Sequence, residues 1–238
     1  MIALVRYQTA ILLRSHRWVF PLIGYGLLIS VGAASSMPLA EGLVWSAAML
    51  VPAVAFLTRS MLTAEPDAAR ACVAAATGPG RAQLAALLTA LGGGLLLGVA
   101  GACFDVLTAE PAAEHPGSGV TNKVSAAFGH PEIFAAGLVT AVVCLLVGSA
   151  VGTLCNPPLL RHPGAAMLAT WAAVILALAA GVSPARAALR HAGVTPTAQS
   201  QQAQWPGLVP LLGAACLLAI VWTASVLAAA RREKSLPS

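Results

Sequence analysis

Six long apolar stretches, each separated from the next by a more polar segment, constrain this chain more than any other feature. They cover about residues 18–34, 43–62, 82–104, 132–154, 165–182 and 207–230. Each is close to the roughly 20 residues that a helix needs to cross a hydrocarbon layer about 30 Å thick. No water is available there to satisfy the backbone, so an isolated apolar segment must close its own hydrogen bonds as a helix. The expected fold is therefore all-α: a polytopic membrane protein with six transmembrane helices in a single domain, 1–238. Composition points the same way, since 58% of the residues are hydrophobic and 9% charged, against about 25% charged in a soluble domain.

The residues outside these stretches set the topology. Residues 1–17 are too short and too often interrupted by charge to span; Arg6 and Arg17 share one helical face, with Arg14 near them, and Leu4, Val5, Ile11 and Leu12 lie broadly opposite. That pattern predicts an N-terminal helix lying in the membrane interface rather than a cleaved signal. With the N-terminus inside, ten basic residues fall on the inner side (Arg6, Arg14, Arg17, Arg59, Arg70, Arg81, Arg161, Arg231, Arg232 and Lys234) and three on the outer side (Lys123, Arg186 and Arg190). The positive-inside bias then places both termini and the segment 61–81 in the cytoplasm.

That segment, Met61 to Arg81, is the principal polar surface on the inner side. Pro66 and Gly78-Pro79-Gly80 bracket a predicted short helix over 67–76. The longest external loop is expected at 105–131, with a brief helix at 121–128 capped by Asn122 or Ser118, and Ala185 to His191 is expected to form a helical turn or two. Small residues recur at intervals of four: Ala90, Gly94, Gly98 and Ala102 in the third span, Gly148 and Gly152 in the fourth, and Ala169, Ala173, Ala177 and Gly181 in the fifth. Such stripes let helices approach closely and are read as packing seams. Gly92-Gly93-Gly94 is a candidate for local loosening of the third span.

Several function classes are disfavoured by what the sequence lacks. The net charge of +5 comes from scattered basic residues and only 5% of the residues are aromatic, so the charge answers to topology and no nucleic-acid partner is expected. Cys72, Cys103, Cys144, Cys155 and Cys216 lie singly, without the spacing of a thiolate metal site or a disulfide framework. His16, His115, His130, His162 and His191 are dispersed; a cluster of His130, Glu132 and Asp105 at the external face is a minor alternative. No catalytic residue, metal site or cofactor is assigned. The chain has no G-x-x-x-x-G-K-[ST] loop, so an ATP-driven activity needs its motor, with ATP and Mg, in another chain. No ionisable group is expected deep within a span, which disfavours a proton- or sodium-coupled carrier.

The stretch LLRSHRW before the first span, the six spans, and Glu65 to Leu88 (EPDAARACVAAATGPGRAQLAALL) together resemble the membrane permease subunit of type-2 ABC exporters, in particular the small stand-alone permeases of high-GC Gram-positive bacteria. The resemblance covers the whole chain and rests on architecture more than on a signature. It implies a non-enzymatic subunit of a bacterial cytoplasmic membrane exporter. Its partners would be a separate ABC ATP-binding subunit, a second copy of itself or a homologous permease, and the membrane lipids. It also implies that the helix after Pro66 docks on the ATPase, with Glu65, Asp67, Arg70 and Arg81 at or beside the contact and Arg6, Arg14 and Arg17 on the neighbouring surface. Family members often carry a more strongly basic and apolar loop; this one is alanine-rich. The alternatives are a carrier or channel working alone, and a membrane scaffold or immunity protein without a transport path.

Overall fold

The computed structural model describes residues 2–35, 37–65, 67–108, 131–155, 163–181, 183–192 and 208–234. Among them every regular element is an α-helix: α1 (Ile2–Ser15), α2 (Val19–Ala34), α3 (Leu39–Leu62), α4 (Asp67–Thr77), α5 (Pro79–Thr108), α6 (Pro131–Leu154), α7 (Pro163–Ala179), α8 (Pro184–Ala192) and α9 (Leu208–Lys234). Four of these, α3, α5, α6 and α9, are each long and apolar enough to cross a membrane. Two bent pairs raise the number to six if each pair is one span: α1 with α2, bent by 74°, and α7 with α8, bent by 45°.

Local chemistry explains the breaks. α1 ends where His16 takes a positive φ of 52°, a left-handed conformation that stops a helix and redirects the chain. A second reversal occurs at Gly78, φ 86°, where the absence of a Cβ removes the penalty. Pro79 then opens α5 in the first helical position, where its missing N–H costs nothing. The breaker expected over three residues is thus a single one, and α5 continues unbroken through Gly92-Gly93-Gly94. In a medium without water, each helical hydrogen bond given up finds no replacement, which keeps a glycine triplet helical despite its low propensity.

α3 is the central element. It packs against α6 most extensively, then α5 and α2, and also touches α7 and α8. Leu50, Val51, Val54, Ala55 and Thr58 on α3 are almost completely enclosed. One core cluster joins α3 and α6 to α7, α8 and α9 through Ala47, Val143, Val147, Val174, Ala188 and Ala214. Another joins α2, α3 and α6 through Tyr25, Ile29, Leu50, Val54 and Leu145, and Leu12, Leu57, Met61 and Ala90 tie α1 to α3 and α5.

Polar residues buried on α6 satisfy themselves within the helix. Thr140 donates to the Ala136 carbonyl (2.8 Å) and Ser149 to that of Leu146 (2.8 Å), which lets them occupy apolar surroundings without an orphaned hydroxyl. Large apolar side chains point outward instead. On α2, Phe20 (87% exposed), Ile23, Leu27 and Val31 form one open face, and Leu168, Ile175 and Leu176 on α7 and Ile220 and Leu227 on α9 are also exposed. Small residues inside and large apolar residues outside are compatible with a multi-pass membrane protein.

Candidate functional site

The two ends of α3 each carry a buried carboxylate beside a tyrosine. At the Leu62 end the helix finishes with the Thr63 N–H on the Arg59 carbonyl (3.1 Å), and the chain turns through Glu65 into α4. Glu65 is 8% exposed and lies beside the Tyr7 hydroxyl of α1. Arg17, just after α1, donates through Nη1 to the Thr63 carbonyl (3.2 Å). The Arg17 bond and the Tyr7–Glu65 contact hold α1 against the α3–α4 turn, and α4 in turn packs along α5.

Of the residues selected in the sequence for docking, the structure brings Arg17 and Glu65 to this junction. Arg6, Arg14 and Arg81 are exposed, as is Arg17 itself. Asp67 and Arg70 belong to α4, and their side chains lie outside the described residues. Glu65 faces inward to α1 rather than outward. Tyr7, not selected in the sequence, is its partner; a single tyrosine in an apolar helix gives no pattern by which to find it.

The stripes of small residues fall at helix contacts to different degrees. A methyl group added at Gly148 would lie 2.7 Å from the Val51 carbonyl oxygen, and one at Gly152 2.5 Å from that of Ala55. The backbones of α6 and α3 therefore meet directly. On α5, Ala90 is fully enclosed, a methyl at Gly94 would meet Val54 Cγ2 at 2.9 Å, and one at Gly98 would meet Leu50 Cδ2 at 3.4 Å. Ala102 lines a cleft between α5 and its neighbours. Ala169, Ala173 and Ala177 pack on the central cluster. Gly181 lies past the end of α7, exposed and with nothing near its added methyl, so it does not continue that seam.

Asp105 is where the structure departs most from the sequence reading. Expected at the start of a long loop, it sits in the last turn of α5, which runs on to Thr108. It is 7% exposed, so an ionisable group does lie buried in a candidate span. The Ser46 side chain of α3, whose hydroxyl donates to the Leu43 carbonyl (3.1 Å), lies beside the Asp105 carboxylate and the Tyr25 hydroxyl, and the Tyr25 hydroxyl donates to the Ser46 carbonyl at 3.4 Å. Gly101, one turn before Asp105, leaves room for that phenol, whose oxygen an added methyl would strike. Apolar residues on both sides, Cys103-Phe104 and Val106-Leu107, carry the helix past the charge, and they are the signal that could have placed it.

Two small clefts adjoin this group. One lies among α2, α3 and α5, with Trp45, Gly42 and Asp105 in its wall and a volume of about 10 Å³, room for about one water molecule. The other is lined by Tyr25, Ser46, Gly98, Phe134 and Gly137. His130 and the loop 109–130, with its expected short helix, lie outside the described residues, as do 156–162 and 193–207. No group of three or more His, Cys, Asp or Glu side chains that could hold a metal occurs among the described residues.

Elsewhere, polar bonds connect helices singly: Arg59 to Thr170 between α3 and α7 (3.4 Å) and Gln83 to Ser225 between α5 and α9 (2.7 Å). The cysteines are free thiols, Cys144 and Cys155 buried and the others exposed. No known protein family, characterised protein or solved structure matches the chain.

Proposed function

We propose that the chain is the membrane permease subunit of an ATP-driven ABC exporter, working as a dimer around a translocation path and powered by a separate ATP-binding subunit. In this reading α1 lies in the cytoplasmic interface, α2, α3, α5, α6, α7 and α9 are the six spans, and both termini face the cytoplasm of a bacterial cell. The observation that carries it is α4. An 11-residue helix stands between two long apolar ones, set off by a turn at Glu65 and a single left-handed glycine, and braced through Glu65 and Thr63 to α1. A short helix with no apolar partner across a bilayer, on the side favoured by the basic residues, has the form needed to receive motion from a soluble motor.

The test is co-expression with the separately encoded ABC ATP-binding chains of the source genome, followed by pull-down in mild detergent. The double charge reversal Asp67→Arg with Arg70→Glu is expected to lower the yield of ATPase while membrane abundance is unchanged. Unchanged association removes these side chains from the docking surface, and no association with the unaltered chain removes the reading.

A carrier working alone is favoured by one observation, the buried Asp105 in α5, because ionisable groups inside membrane helices mark ion and substrate pathways. Transport by the purified chain in liposomes without ATP would select it.

A further inference from the structure

We infer that the outward face of α1 is a docking surface for anionic phospholipid head groups, held through Arg6 and Arg14. It shares with the permease reading only that α2 spans and α1 does not; no ATPase enters. The bend after α1 fixes the height of that helix. Phe20, four residues beyond the left-handed His16, is 87% exposed, and Ile23, Leu27 and Val31 continue its stripe along α2. In a membrane helix such a stripe faces hydrocarbon. The 74° bend between α1 and α2 then stands at the level of the head groups and turns α1 toward their plane.

α1 packs against the flank of the bundle, not beneath it. Leu12 clusters with Leu57, Met61 and Ala90; Leu57 lies five residues inside the end of α3 and Ala90 eleven residues inside the start of α5. Gln8, 2% exposed, lies one turn away on the same face of α1. The opposite face therefore looks sideways, where lipid stands, whereas a soluble partner approaches from beyond the helix ends. At about 100° per residue, that face carries Arg6, Ala10 and Arg14, with Ile2 and Leu13 at its edge, all of them exposed.

Charge and shape agree on the occupant. α1 contains no Asp or Glu, and neither the Arg6 nor the Arg14 guanidinium has a hydrogen bond or ion pair among the described residues. Arg17, by contrast, is committed to the Thr63 carbonyl (3.2 Å). Arg6 and Arg14 lie about 12 Å apart along the helix axis, a spacing that suits two head groups side by side. Ile2 and Leu13, 80% and 57% exposed, enter the acyl boundary while the arginine stems extend to phosphate oxygens. A free anion would leave those two apolar side chains in water.

The experiment places the full chain in nanodiscs of neutral phosphatidylcholine alone, or of its equal mixture with anionic phosphatidylglycerol, and follows amide hydrogen exchange along α1. Exchange there is expected to be at least about fivefold slower in the anionic discs, within what two interfacial arginines contribute, while α6 exchanges alike in both. High salt is expected to remove the difference in the unaltered chain. Arg6→Gln with Arg14→Gln is expected to remove it as well, and Arg6→Lys with Arg14→Lys to retain most of it. Equal exchange in the two discs, a difference shared by α6, or one that survives high salt or the glutamine pair overturns the surface. So does protection of α1 by inorganic phosphate in the neutral discs, which would assign a free-anion site, or protection that appears only with an ATP-binding chain whatever the lipid, which would assign the face to that protein.

Discussion

α3 meets α6 and α5 on different faces, and glycine is used differently at each. Toward α6, the glycines at 148 and 152 lie under main-chain oxygens, with added methyls 2.7 Å from the Val51 oxygen and 2.5 Å from the Ala55 oxygen. Toward α5, the glycines at 93, 94 and 98 lie under the ends of Leu57, Val54 and Leu50 side chains, at 3.0, 2.9 and 3.4 Å. A main-chain oxygen in a helix cannot step aside without losing its hydrogen bond, whereas a leucine methyl can change rotamer. Around Gly148 and Gly152 the α3–α6 contact is thus fixed by the backbone, though at Gly137 it rests on the Leu43 side chain, and the α3–α5 contact is filled by side chains with room to adjust. The difference identifies α3 and α6 as one rigid pair and α5 as the neighbour whose packing can be altered.

Gly152→Ala tests the fixed side and has the largest expected effect. Its methyl would meet both the Ala55 oxygen and Thr58 Cβ, the latter at 2.8 Å, so a loss of about 1–3 kcal/mol is expected, the usual range for overpacking. It is read as a lower unfolding midpoint in detergent. Removing the second obstacle, the Thr58 Cβ, with Thr58→Gly is not expected to restore it, because the Ala55 carbonyl remains. Full rescue would show that side chains, not backbone, set this contact.

Gly94→Ala is expected to cost less, about 1 kcal/mol or below, since helix propensity offsets part of the clash. Here Val54→Ala should relieve it, giving a favourable coupling in a double-mutant cycle. Additive losses would place the α5 side in the same rigid class as α6. The smallest effect is expected at Gly98→Ala, where 3.4 Å from Leu50 Cδ2 is near ordinary contact. The midpoint should stay level or rise slightly, by the equivalent of up to about 1 kcal/mol; a marked fall would show that α5 is held as closely as α6.

The same physics decides how much could be read from the sequence. Apolar length and turn residues place helices well: the short helix expected at 67–76 is Asp67–Thr77, and the turns expected over 185–191 form Pro184–Ala192. The all-α class follows from the absence of water to satisfy any other backbone. Six spans are expected, whereas four helices qualify outright and the number reaches six only if each of the two bent pairs is one span; α2 has 16 residues and α7 has 17, fewer than the roughly 20 a span needs.

Side-chain partners were less legible. Asp105 was read as loop because charge usually ends a span, yet neighbouring apolar residues and the Ser46 and Tyr25 side chains accommodate it within one. The inward turn of Glu65 depends on Tyr7, 58 positions away in the chain, a pairing no local pattern encodes. Gly181 shared the interval of its stripe but not its surroundings, since α7 stops at Ala179.

Gly78 also has a mechanical consequence. One residue joins α4, 11 residues long, to α5, 30 residues long, which at 1.5 Å per residue makes arms of about 16 Å and about 45 Å. Turned as one body about that swivel by about 10°, the free end of the short arm travels about 3 Å while the far end of the long one sweeps about 8 Å. The two arms are unequal in length, so for the same angle the end of α5, close to Asp105, would travel further than the end of α4.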